Sequence, residues 1–250
     1  TIEAVVKAFD KVNHEKLIFK LLQYGTRGQT LQWIRAFLSN RSQQVVLEND
    51  TSDSVPVTSG VPQGSVLGPI LFLIYINDLP DDIKSKVRLF ADDTAVYLAV
   101  SNLQDAKLLQ DDLNRLQEWE ALWDMDFNPQ KCTVIQVTRS KHPVPSTYTL
   151  HGQTLENVTC AKYLGVDISS DLTWTHHIDR ATTSANRTLG FLKRNIRTQN
   201  PSVRQIAYKA LVRPVIEYSS PVWSPYTKDL IDRVEMIQRW AARWVCSDYS

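Results

Sequence analysis

The hydrophobic period changes once along this chain, near residue 170, and that change limits the folds open to it. Up to that point short β-rich runs alternate with helical repeats. From His176 onward the apolar spacing is helical, interrupted only at Pro201, Pro214, Pro221 and Pro225. Strands mixed with helices and then helices alone predict an α+β body followed by an all-α lobe. In the body, Leu17, Ile18, Leu21 and Leu22 mark a helix over 13–24 that stops at Gly25, and 31–38 repeats the pattern. Residues 43–47 and 54–57 read as strands, and the glycine-rich stretch after them runs into an apolar helix near 67–79. Strands over 87–91 and 94–99 flank Asp92-Asp93. A helix over 103–123 carries Leu109, Leu113, Leu116 and Trp123 on one stripe. Residues 131–137, 147–151 and 161–168 read as strands, with Gly152 and Gly165 as breaks.

Composition sets outer limits. With 250 residues and 43% apolar content, the chain can bury roughly 70–75% of its unfolded surface, enough for one large core or two smaller ones. The longest apolar run, Ile70 to Ile76, is far below the ~20 residues of a membrane helix, and no signal-peptide pattern opens the chain, so a soluble intracellular protein without a membrane partner is expected. Cys132, Cys160 and Cys246 are odd in number and widely spaced, which supports neither a disulfide framework nor a zinc site. The start at Thr1, with Met only at 125 and 236, leads us to expect a fragment of a longer protein. Charge is uneven: residues 176–250 hold 12 Lys and Arg against 6 Asp and Glu, a net of +6, while residues 1–175 hold 16 against 21. A basic helical lobe beside a mildly acidic body suits a grip on phosphate backbone next to a metal-binding carboxylate site, although solvated helix faces would give the same tally.

Two constellations carry chemistry. Phe90-Ala91-Asp92-Asp93 puts adjacent carboxylates at the tip of paired strands. Hard divalent cations take such oxygens, but neighbouring strand residues face opposite ways, so a carboxylate from another strand is needed to complete a two-ion site. A solvated Asp-Asp turn is the plain alternative. The second constellation runs from Ser59 to Pro69. Gly60 and Gly64 let backbone approach a ligand closely, Pro62 stiffens the loop, and the Gln63 amide can both donate to and accept from a base or sugar edge.

With Lys7-Ala8-Phe9-Asp10-Lys11-Val12-Asn13-His14, the Ser59 to Pro69 loop, Phe90-Ala91-Asp92-Asp93, Asn128-Pro129-Gln130-Lys131-Cys132 and Lys162-Tyr163-Leu164-Gly165-Val166 in this order, the chain resembles the reverse transcriptases of jockey-like non-long-terminal-repeat retrotransposons. The resemblance continues through 185–192 and 211–214. It implies an α+β fold, a palm of antiparallel sheet and helices over residues 1–170, followed by an α-helical thumb over 171–250. It further implies an RNA template, a DNA primer and deoxynucleoside triphosphates as partners, two Mg²⁺ ions with Mn²⁺ as a substitute, and a nuclear site of action.

The resemblance also assigns residues. Asp92 and Asp93 correspond to the metal-binding catalytic pair, and Lys131 to a lysine that protonates the leaving pyrophosphate. Phe9 stands at the aromatic gate that excludes a 2′-hydroxyl, and Gln63 and Gly64 stand where the templating base and incoming nucleotide are touched. Tyr163, Leu164 and Gly165 correspond to the turn that holds the primer end. Lys193, Arg197 and Arg204 are expected on the nucleic-acid backbone, with Lys193 and Arg197 on one helical face.

One position departs from the family. Its first palm motif opens with a metal-binding Asp six residues before Asp10, and Ala4 stands there. Neighbouring Glu3 would face the other side of the same strand, and Asp10 leads into a helix, where capping explains it better. The fingers and any endonuclease domain are expected to be missing. The first two readings of this chain are a polymerase fragment, impaired by Ala4, and a catalytically dead nucleic-acid-binding remnant. A decayed genomic copy is a third.

Overall fold

The computed structural model describes residues 8–48, 50–138 and 140–248. Ala4 and Glu3, and with them the strand expected there, lie outside the described residues. The chain divides into two units, one of residues 1–134 with 141–157, the other of 135–140 with 158–250.

The first unit opens with α1 (Ala8–Lys11), α2 (His14–Gln23) and α3 (Gly28–Leu38). Asn13 starts α2 by accepting from the amides of Glu15 and Lys16 at 3.0 and 3.2 Å, an N-cap that occupies two otherwise unpaired helix donors. Short strands follow: β1 (Arg41–Gln43), β2 (Val46–Leu47), β3 (Asp50–Thr51) and β4 (Val55–Val57), with β1 antiparallel to β4 and β2 antiparallel to β3. Next come α4 (Leu67–Ile76), β5 (Lys86–Phe90), β6 (Asp93–Tyr97) and α5 (Leu103–Trp123). Asn102 and Asp105 form a reciprocal capping box at the start of α5. The chain then crosses between units within β7 (Thr133–Ile135), returns for the hairpin of β8 (Thr149–Leu150) and β9 (Gln153–Thr154), and crosses again within β10 (Glu156–Val158).

The core of this unit gathers Leu17, Leu21, Leu38, Leu71, Phe72, Tyr75, Leu116 and Met125, all nearly inaccessible. Helix α4 is apolar at almost every position: Leu71, Phe72, Tyr75 and Ile76 enter that core, while Ile70 and Leu73 stay exposed. Lys20 is buried with them. Its ammonium lies 3.6 Å from the Trp123 ring centroid, donates to the Tyr75 carbonyl and is 2.5 Å from an Asp78 oxygen that also accepts from Trp119 at 3.0 Å. Burial lowers the pKa of this lysine, and pairing with Asp78 works against that.

The second unit begins with β11 (Cys160–Tyr163) and β12 (Val166–Ser169), paired antiparallel as one hairpin. Sequence reading has a single broken strand over 161–168. Leu164 and Gly165, with φ of 46° and 81°, turn the chain back on itself, a conformation that glycine adopts without strain. His151 and Gly152 turn the chain in the same way, so of the strand expected over 147–151 Thr149 and Leu150 form the first arm of the β8–β9 hairpin. Then come α6 (Thr175–Asn195), α7 (Pro201–Ala207), a wide π-turn over Tyr208–Val212, α8 (Arg213–Glu217), α9 (Ser220–Trp223) and α10 (Lys228–Cys246). The π-turn immediately precedes Pro214, which has no N–H to donate and whose ring crowds the carbonyl four residues back. Leu189, Leu192, Val212, Ile216, Ile237 and Trp244 form one cluster here, and Val166, Ile178, Trp223 and Leu230 a second.

Mixed helix and strand content is thus as expected. Among the described residues, however, the strands pair only two by two, and no wider sheet joins them. No described helix is long and apolar enough to cross a membrane.

Candidate active site

In the first unit the two constellations occupy separate local frames. Lys86 to Phe90 pairs with Tyr97 to Asp93, so the turn is Ala91-Asp92, Phe90 stands opposite Asp93, and Asp93 is the first strand residue rather than part of the turn. Ala91 takes a φ of 51° to make this reversal. Asp92 and Asp93 are both half-buried, and neither carboxylate has a hydrogen-bond or ion-pair partner among the described residues. Burial, and then the adjacent Asp92 charge, push the Asp93 carboxyl above its ordinary pKa. Two like charges without a counter-ion are what a hard divalent cation relieves, so the residues present fit such a metal. Among the described residues no group of three or more His, Cys, Asp or Glu surrounds a common point. Among the described residues the pair therefore has no third such group beside it.

The base of the hairpin is fixed from α5. Asp112, fully buried, accepts from the amides of Ser85 at 2.7 Å and Lys84 at 3.2 Å and pairs with Arg115 at 2.7 Å. These bonds hold its pKa below the ordinary range in spite of burial. Sequence reading missed this residue, because an Asp on a helix interior carries no mark of where it points.

The second frame joins the segment around Phe9 to the Ser59–Gly64 loop. Val61 N donates to Phe9 O at 2.8 Å, Gly60 N to Val12 O at 2.8 Å, and Ser59 Oγ to Asp10 O at 2.8 Å. His14 Nε2 lies 2.8 Å from Gly60 O, and Gln63 Nε2 donates to Asp10 Oδ1 at 3.2 Å. A Cβ on Gly60 would lie 2.8 Å from Asp10 Cα and 2.9 Å from Phe9 O. Glycine is thus demanded here by close approach of two backbones as well as by its φ of 87°. Phe9 stacks on Phe72 with ring centroids 4.4 Å apart and stays partly exposed, and Gln63 is exposed. Gly64 has open space around it and a φ of 81°. The structure therefore brings Phe9 and Gln63 into one frame. Asp10 is no N-cap here: it sits inside α1 and orients Gln63. His14 and Ser59, which stand in the two sequence motifs without an assigned role, are further members of the frame. Lys131 is exposed in the turn that follows Asn128, with its amide on Asn128 O at 3.0 Å, and it bonds to none of these groups.

The second unit holds the remaining candidates. Tyr163 ends β11, and Leu164 and Gly165 form the turn after it. Among the expected phosphate contacts, Lys193 is exposed on α6. Arg197 is exposed too, but α6 ends at Asn195, so it shares no helical face with Lys193. The break was marked in the sequence by Asn200-Pro201, a cap followed by proline at the first helical position. Arg204 corrects the expectation outright: it is 6% exposed, and its guanidinium bonds Thr198 O at 2.8 Å, Trp244 O at 2.7 Å and Ser247 Oγ at 2.8 Å. Burial beside backbone carbonyls uses that charge within the fold. Arg187, Lys193, Arg194 and Arg197 remain exposed, without an acidic partner among the described residues.

Comparison with known proteins bears on both frames. A profile described as reverse transcriptase (RNA-dependent DNA polymerase) matches residues 5–168. The RNA-directed DNA polymerase from mobile element jockey of Drosophila melanogaster is 26% identical over 246 residues, covering 94% of this chain and 27% of that protein. The probable RNA-directed DNA polymerases from transposon BS and transposon X-element of the same organism are 30% and 29% identical, covering 95% and 96% of this chain and 28% and 27% of theirs. The chain thus spans about a quarter of the length of these curated relatives. With the profile matching well over half of its residues, the chain belongs to the reverse transcriptase (RNA-dependent DNA polymerase) family.

Proposed function

We propose that this chain is the palm and thumb of an RNA-directed DNA polymerase from a non-long-terminal-repeat retrotransposon, acting on an RNA template, a DNA primer and deoxynucleoside triphosphates in the nucleus. The palm extends to about residue 170, with the hairpin of β11 and β12 carried on the helical unit, and residues 171–250 form the thumb. The observation that carries this reading is the pair Asp92 and Asp93, half-buried, mutually repelling and unpartnered at the tip of a hairpin.

Divalent metal dependence is general in the family. Asp92 and Asp93 would hold Mg²⁺ here, two ions in the complete site, with Mn²⁺ as a substitute. When bound, the metal activates the primer 3′-hydroxyl and neutralises charge on the triphosphate. The chain's own residues then place the reactants. Phe9, fixed from below by Phe72, bounds the space for the sugar and excludes a 2′-hydroxyl. Gln63, exposed and with its amide nitrogen held by Asp10, offers its oxygen as an acceptor, and Gly64 leaves room for a nucleotide against the loop. Lys131, exposed on its turn, would donate the proton to pyrophosphate. Lys193 and Arg197, joined by Arg187 and Arg194, contact phosphates without reading sequence.

A second reading has its own observation. Ala4 stands where the family has a third metal-binding carboxylate, and this favours a remnant that binds template–primer without extending it. One experiment tests both. The chain is expected to bind Mn²⁺, seen by electron paramagnetic resonance, and to lose that binding in Asp92→Asn and Asp93→Asn. It is expected to give no primer extension above an Asp92→Ala control. Absence of Mn²⁺ binding overturns the carboxylate site, and extension by the unaltered chain overturns the remnant reading.

A further inference from the structure

The turn at Leu164–Gly165 is held by two side chains of its own unit, one on α6 and one just after α8. Tyr218, just after α8, donates from its hydroxyl to Leu164 O at 3.0 Å. Its ring covers Gly165 so closely that a Cβ there would lie 2.9 Å from Tyr218 Cε1. Arg180 on α6 donates to Gly165 O at 2.7 Å and to Asp167 Oδ2 at 2.5 Å. The backbone of Tyr218 is fixed in turn, because Trp223 Nε1 donates to Tyr218 O at 2.6 Å. Trp223 packs on His177, with ring centroids 5.0 Å apart, and His177 Nδ1 accepts from the Asp167 amide at 3.3 Å. Burial, and next the neighbouring Arg180, hold the His177 pKa below its ordinary value, consistent with a neutral ring accepting at Nδ1. The contacts form a closed ring: turn, Tyr218, Trp223, His177, Asp167, Arg180, turn. Both turn carbonyls are thus engaged from outside the hairpin, where an ordinary two-residue turn leaves them to water.

We propose that Tyr218 and Arg180 are positioning residues that set the place of the Leu164–Gly165 turn, and through it the place of the primer terminus. This rests on the reading of that turn as the primer-holding turn. The terminus is then registered to the helical unit that grips the duplex, so duplex and primer end are located by one rigid body. Tyr218 and Arg180 touch no reactant themselves. Their effect is on where the 3′ end lies, not on how tightly the duplex is held.

The test uses the full chain and an RNA template annealed to a DNA primer ending in 4-thiothymidine, cross-linked by light and mapped by peptide sequencing. The unaltered chain is expected to cross-link within residues 163–165. Tyr218→Phe keeps the ring over Gly165 and removes only the hydroxyl, and Arg180→Gln removes the cation. Each should cut the terminal cross-link about tenfold at equal duplex occupancy, since displacement by about 1 Å is enough to spoil such an alignment. Duplex affinity should stay within about twofold, the change expected when no phosphate contact is lost. Arg180→Lys, which keeps one charged donor, should recover part of the signal. Selective labelling of the eight glycines gives a spectrum in which the Gly165 amide should move in both variants while Gly25 and Gly28 stay in place. Unchanged cross-linking in both folded variants overturns the positioning role and leaves the primer-turn reading intact. A bound duplex whose terminus cross-links elsewhere in the unaltered chain overturns that reading and the inference with it.

Discussion

The turn Ala91–Asp92 closes Phe90 on Asp93, and the turn Leu164–Gly165 closes Tyr163 on Val166. Both are two-residue reversals of short antiparallel ribbons, and their surroundings differ in every respect. At the first, two carboxylates stand side by side with no donor or cation beside them among the described residues, next to a Phe90 that is 63% exposed. At the second, each turn carbonyl has a side-chain donor, the glycine lies beneath an aromatic ring, and the donors are themselves fixed. A polar group that is to receive a charged ligand has to be left unsatisfied, at some cost to the free fold. A backbone that is to mark a position has to be saturated, because each unmade bond is a freedom to move. On the function proposed above, the contrast separates the two jobs of a polymerase, chemistry and registration.

That contrast can be broken by substitution. The largest effect should come at the saturated turn: Gly165→Ala places a Cβ against the Tyr218 ring and forces a φ of 81° on a residue that disfavours it. The C-terminal helical unit should lose roughly 2–4 kcal/mol in urea unfolding. A loss under about 1 kcal/mol, the scale of a single hydrogen bond, would mean that the ring yields easily and the turn is loosely held. Arg180→Gln comes next. It deletes donors to Gly165 O and Asp167, and since the arginine side chain is 45% exposed, solvent screening keeps the expected loss near roughly 1–2 kcal/mol. The smallest change is expected at the open turn, where Asp92→Asn should leave stability within about 0.5 kcal/mol and on the favourable side.

The pH dependence of the open turn sharpens the point. The Asp93 carboxyl titrates above its ordinary value in the fold, so the folded state binds its proton more readily than the unfolded chain. The penalty is absent at pH below the ordinary value, grows as pH rises through the elevated one, and stays constant above it. Asp92→Asn should shrink this loss only in part, because burial is the larger cause and the Asp92 charge the smaller. Urea titrations of the two proteins across the acid range measure the difference. A penalty that disappears entirely would show that charge repulsion alone raises the Asp93 pKa.

Much of the first unit was legible in the sequence, because periodicity and turn chemistry are local. The stripe of Leu113, Leu116 and Trp123 on α5 is buried as its spacing predicts, and the paired strands around Asp92 and Asp93 form with only their ends shifted. What could not be read is tertiary direction. Arg204 counts as a cation in any tally of charge, yet it faces the carbonyl end of α10; Asp112 and Lys20 look like surface charges and are buried. Tyr218 and Arg180 lie 54 and 15 residues from the carbonyls they bond, and spacing says nothing over such distances. The sequence marks Gly165 as a break and, through the resemblance, as part of the primer-holding turn, but not the ring above it, whose close fit explains why no larger residue stands there.

Gly60 also bears on the history of the element. The contacts that forbid a side chain there are backbone atoms of residues 9 and 10, which cannot swing aside as a flexible side chain would. A copy still under selection for a working frame around Phe9 and Gln63 must keep glycine at that codon. A copy released from selection will lose it at the neutral rate, since most single-base changes of a glycine codon replace the residue. The codon for residue 60, compared across sibling copies in a genome, therefore acts as a clock for the loop frame, independent of the carboxylates. In a lineage where position 4 has already changed and position 60 has not, the loop frame was kept after the first palm motif had altered; where both have drifted together, neither was being preserved.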